Sequence, residues 1–364
     1  MVKAAVLWET NNPLVVEEVE LDEPQAGEVL VKVGAAGICR SDRHFMHGDA
    51  PIALPVVLGH EGAGTVEKVG PGVTSVRPGQ QVILTFVPSC GRCKSCVTGK
   101  NHLCDNHGAT GPNMYDGTTR LHKGDQRIHH MGKTACFAEY SVVPESGCVP
   151  IDVAIPMDKA ALIGCCVPTG VGAVTSSANV QPGSTVAVVG CGGVGLNVIM
   201  GAALVNASKI IAVDIRESQL EFAMKFGATH TVNASDQDPV AQVKALTDGK
   251  GADYTFEVFG SADTTKAAYD MAGKSGTVTV VGIAPWGAEA GINAVDMVRN
   301  EKTMRGTYYG STHASVEMPK LVDMYLAGKL NLDDLVVRQY ALDDINEAYG
   351  DMDKGEVGRG VIMY

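Results

Sequence analysis

Residues 184–196 read STVAVVGCGGVGL: a β-branched run, then glycines at Gly190, Gly192 and Gly195 in the spacing G-x-G-x-x-G, then an apolar segment of helical character. In a strand–turn–helix context each glycine has a task. The first permits the tight turn and the second lets backbone approach a pyrophosphate. The third packs helix against strand, so the helix N-terminus faces the phosphates. Gly193 and Val194 fill the same turn. About 20 residues on, Asp214 ends the next apolar run, SKIIAVDI. A carboxylate there binds both hydroxyls of the adenosine ribose and repels a 2′-phosphate, which favours NAD over NADP. Arg216 is the one neighbour that would help NADP.

The alternation continues on both sides of this motif. ESQLEFAMKFGA, VAQVKALTDG and TTKAAYDMAGKSG read as helices, and HTVNA, ADYTFEVFG and TVTVVGIA as strands. Strands alternating with helices imply a parallel sheet of βαβ units. Residues 1–150 differ: KAAVLW, EVLVKVGAAG, GAGTVEKVG and QQVILTFV are short β-type runs bounded by Gly, Pro, Asn or Asp. The polar stretch 104–137 shows no period and is expected to be a long loop. After about residue 300, EMPKLVDMYLAGKL reads as a helix and RGVIMY as a terminal strand.

Composition narrows the function. With 364 residues, 45% apolar and 19% charged, the chain is long and apolar enough for two or three packed domains. The net charge of −12, without a basic patch, argues against nucleic acid as partner. No charge occurs between Lys159 and Lys209, but Pro168, Pro182, glycines and polar residues interrupt that stretch, so buried structure is expected there and no membrane span. MVKAAVLWET lacks an apolar signal core, and a cytoplasmic location is expected.

Cys90, Cys93, Cys96 and Cys104 follow C-x2-C-x2-C-x7-C. Four thiolates in one loop make a closed tetrahedral zinc site, which is structural. An iron–sulfur cluster is the alternative, but the ferredoxin run closes with Cys-Pro, and Asp105 follows here. Cys39, His60 and Cys165 are a dispersed second set, of the Cys2His type that leaves a catalytic zinc one open position. Spacing alone does not assemble them.

Several motifs together carry a resemblance. Gly59, His60, Glu61, Gly64, Gly70 and Val73 fill G-H-E-x2-G-x5-G-x2-V, and GICRSD (37–42), LIGC (162–165), the four-cysteine loop and the 190–195 turn follow in order. The whole chain resembles the zinc-dependent alcohol dehydrogenases of the medium-chain dehydrogenase/reductase family. The resemblance implies an α/β fold: a GroES-like, mainly β catalytic domain at 1–160, a Rossmann doubly wound parallel sheet at 161–300, and a return to the catalytic domain at 301–364. It implies zinc on Cys39, His60 and Cys165, with Asp42 and Glu61 as acids behind the ligands. Ser41 and His44 would relay the proton, Arg40 and Arg359 bind the pyrophosphate, and Thr169 and Val194 flank the nicotinamide. The implied cofactors are NAD and two zinc ions per chain, one catalytic and one structural.

The implied reaction is reversible hydride transfer between a primary alcohol and NAD. By the same resemblance, Phe86, Ala50, Ala109 and Ile283 match substrate-pocket positions of the family, which implies room for medium-sized or aromatic alcohols. Two alternatives stay open. One is a dehydrogenase that retains its NAD and passes electrons to another acceptor, as AGEVLVKV, CDNHG and HHMGKTACFAEY resemble such proteins. The other is glutathione-dependent formaldehyde oxidation, against which stand Gly108 in place of an arginine and Ala50 in place of an acid, although Asp49 is adjacent. Ser218 and Gln219 stand where the family often has a basic residue, which bears on adenosine affinity and favours exchangeable NAD. A homodimer is expected, with a homotetramer as the alternative.

Overall fold

A computed structural model describes all residues, 1–364, and divides them into two compact units. One comprises Met1–Cys165, His313–Gly328 and Leu332–Tyr364. The other comprises Cys166–Thr312 with Lys329–Asn331.

The second unit is a six-stranded parallel sheet. Its order is His230–Asn233, Lys209–Asp214, Thr185–Val189, Ala252–Glu257, Ala272–Val280 and Thr303–Gly306. In chain order this is 3-2-1-4-5-6, the doubly wound order whose ligands bind beyond the carboxyl ends of the strands. Thr185–Val189 is central and almost wholly buried, which is why it reads as a continuous apolar run. Gly193–Leu204 is likewise apolar and mostly buried. No single helix in the chain is long and apolar enough to cross a membrane.

The first unit is mainly β. A closed barrel joins Val2–Leu7, Val15–Leu21, Leu121–Lys123, Gln126–His130 and Val56–Val57. Beside it a seven-stranded sheet has Glu28–Gly37 at its centre, pairing with Gly62–Val69, Tyr140–Pro144 and Arg359–Met363. The last strand, Arg359–Met363, thus returns the C-terminus to the N-terminal sheet.

Residues 104–137 correct the sequence expectation. They hold the short helix Asp105–Ala109 and the hairpin of Leu121–Lys123 with Gln126–His130, which completes the barrel. Such short strands leave no measurable alternation, and what orders them is a buried polar knot. Arg120, 1% exposed, donates from Nε and Nη2 to both oxygens of Glu28 (2.8 and 2.6 Å) and from Nη2 to Asp116 (2.7 Å). Its backbone N–H donates to Nε2 of fully buried His130 (2.9 Å). Removing one partner from such a buried pair costs about 3–5 kcal/mol.

Burial, with Arg120 nearby, pushes the His130 imidazole down from 6.5 to about 3. The folded state therefore binds this proton less readily than the unfolded chain. The stability it contributes is complete above 6.5 and is lost as pH falls toward 3. His130→Gln retains an acceptor for the Arg120 amide but cannot titrate. Thermal melts between about pH 7 and about pH 4 should show a shallower acid decline for this variant than for the wild type. Parallel curves would remove His130 from the acid response.

Candidate active site

The pairing of Glu28–Gly37 with Gly62–Val69 places Ala36 opposite Gly62. The end of one strand and the start of the other therefore share one edge, and Cys39 and His60 lie just beyond it. Gly37 donates to the Glu61 carbonyl (2.7 Å) and Ile38 to that of Gly360 (3.0 Å), tying in the first residues of the C-terminal strand. Gly164 packs there too: a Cβ on it would lie 3.0 Å from the Leu84 carbonyl oxygen and 3.2 Å from the Gly62 nitrogen. Its neighbour Cys165 is brought beside the other two. The ligand atoms of Cys39, His60 and Cys165 lie within 4.8 Å of one another, and all three residues are buried.

The donors behind this cluster are also in place. Asp42, fully buried, accepts from the Gly59 amide (3.0 Å) and holds His60 Nδ1 at 3.1 Å. That leaves His60 Nε2 as the ligand atom, the arrangement by which carboxylates orient metal-bound histidines. Burial alone would lower the imidazole, but Asp42 and then Cys39 outweigh it and hold His60 well above its ordinary value. A hydrogen bond from Cys165, against burial and with help from His60, draws the Cys39 thiol well down. Negative charge is thus drawn onto the Cys39 sulfur, and two sulfurs with one imidazole nitrogen this close together are a donor set that fits zinc.

Glu61, also fully buried, is ion-paired with Arg359. A Cβ on Gly37 would lie 2.4 Å from the Glu61 carboxylate, so only glycine leaves room for that acid. Ser41 Oγ lies 3.5 Å from Cys39 Sγ. Arg40, Ser41 and His44 all project from the helix Arg40–His47, with Arg40 exposed and the other two half-buried. Phe86 meets the His60 ring edge to face at 5.1 Å between centroids. Ala50 is half-buried, while Ala109, Gly108 and Ile283 are exposed.

The four other cysteines, Cys90, Cys93, Cys96 and Cys104, also bring their sulfurs within 4.8 Å of one another. The Arg92 amide draws the Cys90 thiol down to about 6, whereas burial pushes Cys96 up to about 12. Four sulfurs this close fit a closed zinc site, where a cation must displace the remaining thiol protons.

In the second unit the turn residues fit a dinucleotide. Gly190 has φ +96°, which favours glycine, and a Cβ on Gly195 would lie 1.9 Å from the Gly190 carbonyl oxygen. A Cβ on Gly192 would meet no protein atom within 4 Å. The protein itself therefore does not demand glycine there, whereas a phosphate approaching the backbone would. Gly193 and Val194 open the helix Gly193–Leu204, and Thr169 lies half-buried in Cys166–Gly172. Asp214, at the end of Lys209–Asp214, accepts from the amides of Cys191 (2.8 Å) and Arg216 (3.1 Å). Ser218 is exposed and Gln219 is buried.

Sequence reasoning missed one contact. Asp49 Oδ2 lies 3.2 Å from His44 Nδ1. The available signal was Gly48, which ends the helix and turns the next residue back toward it.

Comparison with known proteins agrees with this geometry. The alcohol dehydrogenase GroES-like domain family matches residues 25–153, and the zinc-binding dehydrogenase family matches 193–327. The NDMA-dependent alcohol dehydrogenase of Amycolatopsis methanolica is 40% identical over 100% of this chain and 98% of its own length. The benzyl alcohol dehydrogenase structure from Acinetobacter calcoaceticus superposes with a TM-score of 0.94 at 35% identity, covering 100% of this chain and 99% of that one. An alcohol dehydrogenase zinc-binding domain protein from Burkholderia ambifaria gives 0.95 at 35% identity, covering 100% and 98%. The chain belongs to the zinc-dependent medium-chain alcohol dehydrogenases. It is an oxidoreductase of alcohols, and its cofactors are zinc and NAD.

The two cysteine clusters should respond differently to substitution. Cys39→Ser should abolish turnover and leave the melting temperature nearly unchanged. Cys96→Ser should release zinc and lower the melting temperature by about 5 °C or more, since each kcal/mol is worth about 2–4 °C in a domain of this size. Zinc content, melts and activity on both variants check this, and near-normal activity in Cys39→Ser would be the contrary result.

Proposed function

We propose that this enzyme oxidises primary alcohols, including aromatic ones, to aldehydes, with NAD as hydride acceptor. The observation that carries the reading is the buried Cys39–His60–Cys165 cluster with Asp42 fixed behind His60. Those three residues would hold a catalytic zinc, and Cys90, Cys93, Cys96 and Cys104 a structural one. When bound, zinc acidifies the alcohol hydroxyl and NAD accepts the hydride. Ser41 takes the hydroxyl proton, and His44, half-buried on the same helix, passes it toward solvent. Glu61 and Asp42 supply negative charge behind the ligands, and Arg359 balances Glu61. In the second unit the 190–195 turn would receive the pyrophosphate, Asp214 the adenosine ribose, and Thr169 and Val194 the nicotinamide; in the first unit Arg40 and Arg359 are the candidate pyrophosphate-binding arginines. Phe86 offers an aromatic wall beside His60. The benzyl alcohol dehydrogenase relative supports an aromatic substrate.

A homodimer is supported by the sheet edge at Thr303–Gly306, which pairs on one side only. Near it in sequence, Trp286, Val295 and Val298 are exposed by 86%, 62% and 76%. The second functional reading, retained NAD with electrons passed to another acceptor, is favoured by the NDMA-dependent relative.

His44→Gln should slow alcohol oxidation by about tenfold or more, below the general-base ceiling of about 10²–10⁴ because water substitutes in part. Imidazole buffer should restore some of the rate, and an unchanged pH–rate profile would remove His44 from the mechanism. The two readings of NAD separate in one experiment. Purified protein is mixed with benzyl alcohol and no added cofactor. Exchangeable NAD predicts no reduced-nicotinamide absorbance until NAD is added; its stoichiometric appearance at once would establish the retained mode.

A further inference from the structure

The end of the helix Arg40–His47 ties its own last turn to the residue that follows the cap. Gly48 follows it in the left-handed conformation, at φ 77° and ψ 13°. Its amide donates to the Phe45 carbonyl (3.2 Å), and the Asp49 amide donates back to the His44 carbonyl (2.9 Å). This paired closure is the Schellman motif, in which the second residue past the helix bonds to a carbonyl of the helix's last turn, five residues back. Here the residue returned is an aspartate, and the residue it returns to is His44. The backbone bond and the side-chain contact, Asp49 Oδ2 to His44 Nδ1 at 3.2 Å, therefore join the same two residues twice.

We infer that Asp49 is a positioning residue that fixes the tautomer of His44 for proton transfer. The inference rests on the relay reading above. A carboxylate only accepts hydrogen bonds, so the ring nitrogen facing it must carry the proton. With the proton on Nδ1, the lone pair of neutral His44 is on Nε2, at the opposite side of the ring. That nitrogen takes the proton arriving from Ser41 and yields it to solvent, while Nδ1–H stays on Asp49. The logic is that of a carboxylate orienting a general-base histidine. The His44 side chain is 20% exposed and that of Asp49 is 44% exposed, so the effect belongs to the range of partly solvated pairs. Gly48 is part of the device, because its positive φ is what returns Asp49 to the helix.

The test compares Asp49→Ala and Asp49→Asn with the wild type. Histidines are labelled with nitrogen-15 in the NAD-containing enzyme, and His44 is assigned by its loss in His44→Gln. Long-range proton–nitrogen spectra then report which ring nitrogen is protonated in the neutral form. The wild type should show Nδ1–H. Asp49→Ala should shift His44 toward Nε2–H and lower kcat for alcohol oxidation by about two- to fivefold, the range open to exposed ion pairs, with little change in KM. Asp49→Asn, whose amide oxygen still accepts, should keep the Nδ1–H form and most of the rate. An Nε2–H form in the wild type, or an unmoved tautomer in Asp49→Ala, would overturn the inference. A shifted tautomer with unchanged kcat would also overturn the positioning role, and were His44→Gln equally silent, the relay itself would fall with it.

Discussion

Antiparallel pairing of Glu28–Gly37 with Gly62–Val69 is the constraint on which the metal-ligand cluster depends. Cys39 and His60 are 21 positions apart in the sequence, and neither has a local reason to meet the other. The register that sets Ala36 opposite Gly62 carries both past the same strand ends. A one-residue slip would reverse the faces of the strand and scatter the ligands. The fit is tight enough that side chains are excluded at Gly37, Gly62 and Gly164, where a Cβ would collide with Glu61, with Cys136 or with neighbouring backbone. Close packing there follows from small residues, and the acidic pair Asp42 and Glu61 follows from close packing. The two carboxylates are wholly buried, and each is held by donors: Gly59 and His60 for Asp42, Arg359 for Glu61.

Such an arrangement is costly until a cation arrives. Buried carboxylates and the lowered Cys39 thiol concentrate negative charge in a region of low dielectric, and one His60 and one Arg359 offset only part of it. A divalent ion held by Cys39, His60 and Cys165 would relieve that excess, and Asp42 and Glu61 behind them would tune its polarising power. The four-cysteine loop solves a different problem. Its sulfurs come from one contiguous segment, so a metal there would close a loop instead of joining distant strands, and its binding energy would go into folding.

These differences explain what was legible in the sequence. The parallel-sheet unit announces itself because central strands such as Thr185–Val189 are buried on both faces and read as apolar runs, and because the turn glycines obey local geometry. The four-cysteine cluster was equally plain, since its spacing is local. The set Cys39, His60 and Cys165 required a family resemblance, because long-range strand pairing assembles it and no local pattern records that. The hairpin at residues 121–130 escaped for another reason. Its order comes from the Arg120–Glu28–Asp116 knot and from His130, polar residues that a search for apolar periodicity counts as loop. The Asp49–His44 contact has no local apolar or motif signature either, because it depends on the left-handed turn at Gly48 that returns Asp49 to the helix end.

The ribose carboxylate shows the same economy of backbone and side chain in the second unit. Asp214 accepts from the amides of Cys191 and Arg216, so the strand end and the glycine turn are tied to one another through it. A carboxylate has about four acceptor sites. Two are used by the protein, and two remain for a pair of ribose hydroxyls. The amide bonds hold the carboxylate in place, so it would not readily swing away from a 2′-phosphate, and its repulsion would favour NAD. Arg216, whose backbone makes one of those bonds, has an exposed side chain. The two parts of residue 216 thus differ in commitment: its amide anchors the acid, while its side chain is exposed.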